Sequence, residues 1–142
     1  MRFLTAAVLL GLLFVINNLY AQHHGSGTSA AKITDRIILQ QILDEPALEG
    51  KEVQMVIVDF PPGIVSGPHR HPCQTFGYLL EGELESEFEG KKYSYKKGDS
   101  FYEFPNGLHS LTKNPSQTET AKLLVLFILD KGQDTSVREK TK

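Results

Sequence analysis

The sequence predicts an all-β domain, either a sandwich or a closed barrel. Three observations predict it. Short apolar runs recur along the chain, each bounded by glycine, proline or charge. No stretch beyond residue 21 carries helical periodicity. One segment, residues 83–96, reads as a complete hairpin. A chain of 142 residues suits a single domain of this kind.

The first 21 residues are a different material. Arg2 gives a positive start, and residues 3–16 are apolar except for Thr5. That run is 14 residues long, whereas a membrane span needs about 20. With Ala21 as a small residue at its end, the segment reads as a secretory signal peptide, removed from the mature chain. The expected location is therefore secreted or periplasmic, with no membrane contact after cleavage. Residues 22–31 are rich in Gly, Ser and Ala and read as a flexible lead-in. Cleavage after Ala21 would make His24 the third residue of the new chain. A free amine, two amides and that imidazole bind Cu(II) or Ni(II) in a square plane. Gln22 can cyclise and block the amine, so His23 and His24 are read as solvated.

The remaining elements follow in order. Residues 36–43 and 52–60 are rich in Ile, Val, Leu and Met and read as strands. In the second, Val53, Met55 and Ile57 face one way, and Val56, Val58 and Phe60 the other. Two apolar faces predict a strand lying between two layers. Pro61-Pro62-Gly63 stops it. In the hairpin, Glu89-Gly90 is the two-residue turn. It pairs Phe88 with Lys91, Glu87 with Lys92, Ser86 with Tyr93, Leu84 with Tyr95 and Glu83 with Lys96. Leu84, Phe88, Tyr93 and Tyr95 then share one face, and the Glu–Lys pairs decorate the solvated other. Residues 97–99 turn, 100–104 form a short strand, and 114–120 are a polar loop. Residues 123–129 are seven consecutive apolar residues, which predicts a strand buried on both faces. Residues 131–142 are polar and charged and read as a frayed tail.

Composition excludes some functions. Net charge is −2, and without residues 1–21 there are 14 basic and 17 acidic residues. There is no tryptophan and no basic footprint, so no nucleic-acid partner is expected. The one cysteine, Cys73, has no internal disulfide partner.

Two stretches carry chemistry. Pro68 and Pro72 bracket His69-Arg70-His71 and favour extended backbone. In a strand, side chains at i and i+2 point the same way, so both imidazoles can reach one metal ion. Arg70 then points outward and is assigned no chemistry. The surroundings read Gly63-Ile64-Val65-Ser66-Gly67-Pro68, then Tyr78-Leu79-Leu80-Glu81-Gly82. The second stretch reads Gly98-Asp99-Ser100-Phe101-Tyr102-Glu103-Phe104-Pro105-Asn106-Gly107-Leu108-His109.

Together these resemble the two signature motifs of the cupin family, and the likeness covers residues 32–130. It implies a double-stranded β-helix, or jelly-roll barrel. It implies a divalent transition metal (Fe, Mn, Zn, Ni or Cu) held by His69, His71 and His109. It further implies a small-molecule ligand or substrate in the barrel mouth, and a homodimer. The family's usual fourth ligand is a glutamate four residues beyond the second histidine, where this chain has Thr75. Gln74, Cys73 and Glu103 are the nearby groups able to compensate. Glu103 is the candidate catalytic residue, as an acceptor behind a ligand or as a base. The proline and glycine of the second motif come one place late, while the Gly98-to-His109 distance is kept. Tyr78, Phe101 and Phe104 are expected in the core or the pocket wall. The function this implies is that of an exported metalloprotein. Its sharpest form is an Fe(II) dioxygenase of a small diketone or phenolic, with isomerase chemistry also within reach. The alternative is a non-catalytic small-molecule or metal-binding module.

Overall fold

The computed structural model describes residues 31–139. The expected signal peptide and all of the lead-in but Ala31 lie outside the described residues, as do the last three residues of the expected tail. Ten strands follow: β1 (Thr34–Ile42), β2 (Lys51–Phe60), β3 (His69–Arg70), β4 (Gln74–Glu81), β5 (Glu83–Phe88), β6 (Lys91–Lys96), β7 (Ser100–Glu103), β8 (Leu108–Lys113), β9 (Ala121–Asp130) and β10 (Val137–Arg138). They form two five-stranded antiparallel sheets, ordered β1-β2-β9-β4-β7 and β10-β3-β8-β5-β6. The all-β jelly-roll expectation holds.

The core lies between the sheets. β9 alternates cleanly, with Ala121, Leu123, Val125, Phe127 and Leu129 buried on one face. Their neighbours Val56 and Phe60 on β2, Leu79 on β4 and Leu84 on β5 complete it. The predicted hairpin forms with every pairing as read. Its turn residues Glu89 and Gly90 have φ of 50° and 73°, the two positive values that a twisted two-residue hairpin requires.

Three features differ from expectation. The first is the outer face of β2 and β9, which, Ile57 apart, is half-buried rather than enclosed. In-register neighbours carry Leu39, Met55, Leu126, Phe76 and Tyr102 across all five strands of that sheet. Leu39, Phe76 and Tyr102 are exposed, and no described strand packs over the band. The apolar run thus reports a covered inner face and an outer face open in a single chain.

The second difference is that β4 and β8 were not legible as strands. Their inward positions include Thr75, Gly77, His109 and Thr112, which break the apolar alternation. The third is the tail. Residues 131–139 do not fray; β10 pairs with β3, and Glu139 N donates to Pro68 O at 3.1 Å. Arg70 does point outward, and it clamps this return. Its Nε donates to Glu139 at 2.9 Å and its Nη1 to the Asn106 carbonyl at 2.5 Å.

Candidate metal centre

β3 delivers His69 directly opposite His109 on β8. His71 follows just beyond the two-residue strand, which Pro72 ends by removing a ladder donor. The ring centroids lie 4.8 Å apart for His69–His71, 4.9 Å for His69–His109 and 6.4 Å for His71–His109. One nitrogen from each ring lies within 4.8 Å of the other two. Plane geometry then guarantees a point within about 2.8 Å of all three, against the about 2.0–2.1 Å of a metal–nitrogen bond. Closure needs each ring to move by less than an ångström.

Hydrogen bonds decide which nitrogen each ring can offer. His69 Nδ1 lies 2.9 Å from Gly67 O, and His71 Nδ1 lies 2.6 Å from Thr135 O. A carbonyl only accepts, so both Nδ1 atoms carry the hydrogen and both Nε2 atoms keep a lone pair. His109 is turned the other way. Its Nε2 lies 3.0 Å from Ser86 Oγ and 2.7 Å from Thr112 Oγ1. Assigning the hydrogen to Nε2 gives it two hydroxyl acceptors and leaves Nδ1 as the donor toward a metal. Burial pushes the pKa of His69 and of His71 below the ordinary 6.5, against the raising effect of each carbonyl bond. Both rings are therefore neutral at pH 7, the form that coordinates.

Glu103 enters the same place from β7. It stands opposite Thr75 in the β4–β7 ladder, on the inward face, and is 4 % exposed. Its Oε1 lies 3.2 Å from His109 Nδ1, and its Oε2 lies 4.0 Å from His71 Nε2. Glu103 Oε2 and His109 Nδ1 are both buried without a hydrogen-bond partner. Such orphaned acceptors are rare in folded proteins and fit a site built around a cation.

The three histidines and Glu103 line the polar end of a cavity of about 160 Å³. Val58, Phe60, Leu123, Val125 and Phe127 make its apolar wall. That is room for an organic molecule of a handful of heavy atoms.

The other candidates separate. Thr75 is buried on the cavity wall, and its hydroxyl donates to Cys73 O at 3.3 Å. Gln74 faces outward and accepts a hydrogen bond from Tyr102 Oη, so it does not compensate for the absent glutamate. Cys73 is buried in the hydrophobic core and is not among the described residues lining the cavity, and burial raises its thiol pKa. Phe101 lines the cavity as expected. Tyr78 and Phe104 do not; both are exposed, Tyr78 on the outer face of β4 and Phe104 in the turn after β7.

Sequence reasoning missed Gly67, Ser86, Thr112 and Thr135, the groups that orient the rings. Only Ser86 left a signal, because the hairpin register places it on the inner face among aromatics. Ser86, His109 and Glu103 also form the outline of a nucleophile–base–acid relay. Ser86 does not line the cavity, so the hydroxyl of that outline is not presented to a substrate.

A family model described as "Cupin domain" matches residues 56–127, half of the chain. Oryzines biosynthesis cluster protein J of Aspergillus oryzae is 39 % identical over 72 residues, covering 50 % of this chain and 39 % of that protein. The cupin-domain-containing oxidoreductase srdB of Neurospora crassa is 28 % identical over 124 residues, covering 86 % of this chain and 60 % of that protein. The chain thus spans less than two thirds of the curated relatives it matches. Among solved structures, an uncharacterized conserved protein with a double-stranded beta-helix domain from Klebsiella pneumoniae superposes with a TM-score of 0.59 at 18 % identity. It covers 80 % of this chain and 89 % of that one.

Proposed function

The chain belongs to the cupin domain family, and from that premise we propose that it is a three-histidine metalloprotein acting on a small organic molecule in the barrel cavity. His69, His71 and His109 hold a divalent transition metal: iron, manganese, zinc, nickel or copper. One observation carries the reading. Three imidazoles, each hydrogen-bonded on its far side, converge at the polar end of an apolar cavity. When bound, a metal there supplies Lewis acidity and, if redox-active, an electron-transfer centre with open positions. The apolar wall excludes water and selects small ligands. Glu103 provides the one negative charge on the described cavity lining.

Oxidation is the form of this reading that the oxidoreductase relative supports, and a small diketone or phenolic is the substrate we propose for it. Elemental analysis after native purification tests the metal. The expected result is one equivalent of a single transition metal per chain. A preparation free of metal that also takes up none of the five ions in titration would end the reading.

We propose too that a second copy of the chain covers the band of Leu39, Met55, Phe76, Tyr102 and Leu126. Exposed apolar patches of this continuity mark interaction sites. Sedimentation analysis is expected to give twice the chain mass, and Met55→Lys to give the single mass. A wild-type protein that runs as a monomer throughout the micromolar range removes the dimer.

A further inference from the structure

We infer that Glu103 is itself a metal ligand, a fourth donor delivered by β7; the inference rests on the metal-binding reading above. Oε1 of Glu103 and Nδ1 of His109 face each other at 3.2 Å, yet Nδ1 makes no hydrogen bond to it. A shared proton would need an N–H aimed along that line, and the ring is not so aimed. Two electron-pair donors therefore face each other inside the protein. Oε2, the other oxygen of the carboxylate, is also buried and unpartnered, and it points toward His71 Nε2 at 4.0 Å. A buried carboxylate without hydrogen bonds or a counter-charge is costly. Among the described residues, no Lys or Arg lines the cavity around it.

A cation removes both conflicts at once. Two donors about 2.1 Å from one ion lie about 3.0 Å apart at a right angle and about 3.4 Å apart at the tetrahedral angle. The observed 3.2 Å falls between these values. The opposite strand offers no competitor, because the Thr75 hydroxyl donates to Cys73 O and Gln74 is on the far face. The donor set is then three nitrogens and one anionic oxygen. It halves the charge of a divalent ion and leaves two positions of an octahedron for a small molecule carrying oxygen donors.

The test compares the wild type, Glu103→Gln and His69→Ala, using Mn(II) titration for affinity and the visible absorption of bound Co(II) for the ligand set. Glu103→Gln is expected to weaken Mn(II) binding more than about 100-fold, beyond the about 10–100-fold that loss of an orienting partner produces. It is also expected to change the Co(II) bands. A Glu103→Gln protein with wild-type affinity and wild-type Co(II) bands, beside a His69→Ala protein that has lost uptake, overturns the inference and leaves the three-histidine site standing. No uptake by any of the three proteins overturns both. If Glu103→Gln fails to unfold cooperatively, Glu103→Asp replaces it. That change withdraws the oxygens by one methylene, and the same spectral criterion decides.

Discussion

Asn114→Ala is expected to destabilise the domain by about 3–5 kcal/mol, through several lost hydrogen bonds and the buried groups they leave unpaired. Asn114 has no exposed surface. Its Nδ2 donates to Phe60 O at 2.9 Å and Glu119 O at 2.8 Å, with Pro61 O a further 3.2 Å contact. Its Oδ1 accepts from Ser116 N at 3.0 Å. One side chain thus joins the end of β2, the turn after it and the loop leading into β9. Alanine fits the space but takes the side-chain donor from Phe60 O and Glu119 O and the acceptor from Ser116 N, while Pro61 O keeps its bond from Ile64 N. Asn114→Asp keeps the size and is expected to do no better, since it sets a carboxylate against the carbonyls. Urea unfolding of the metal-free proteins measures both. A loss below about 1 kcal/mol for Asn114→Ala, the net worth of one hydrogen bond, would show that the loop reorganises around the gap.

That residue also shows where sequence reading stops. Asn114 stands at the start of a polar loop by composition, and its partners are backbone carbonyls 54 and 5 residues away, which leave no side-chain pattern. The hairpin was legible because its information is local: a turn dipeptide, alternating aromatics and opposed charges within one segment. The three histidines were legible because strand periodicity joins two of them and the second motif supplies the third. The strands carrying the site were not. Thr75 on β4 and His109 and Thr112 on β8 point inward, so the polar groups that make the site erase the alternation that marks a strand. Glu103 was visible as a candidate, but its role depended on the β4–β7 register that sets it opposite Thr75. The tail was misread for a related reason. Its contribution to the site is a main-chain carbonyl, Thr135 O, which any residue can supply.

His109→Ala is expected to weaken metal binding more than about 100-fold, past the range for a merely orienting group. It is also expected to cost the metal-free domain about 2–4 kcal/mol, from two stranded hydroxyls and the hole left by the ring. His109 is 6 % exposed and stands where three elements meet, bonded to Ser86 on β5 and Thr112 on β8 and facing Glu103 on β7. Removing the ring takes away a nitrogen donor and leaves Ser86 Oγ and Thr112 Oγ1 buried without it. His71→Ala makes the informative contrast. It removes a donor of equal standing, so its effect on metal affinity should match. Its far-side partner is a carbonyl in the chain-return segment near the surface, where water can replace the ring. The metal-free His71→Ala protein should therefore stay close to wild type. Mn(II) titration and urea unfolding of the two variants separate the roles. Equal loss of affinity with unequal loss of stability is the expected pattern. Retention of tight binding by His109→Ala, with loss in His71→Ala, would move the ion away from β8 and refute the centre described above.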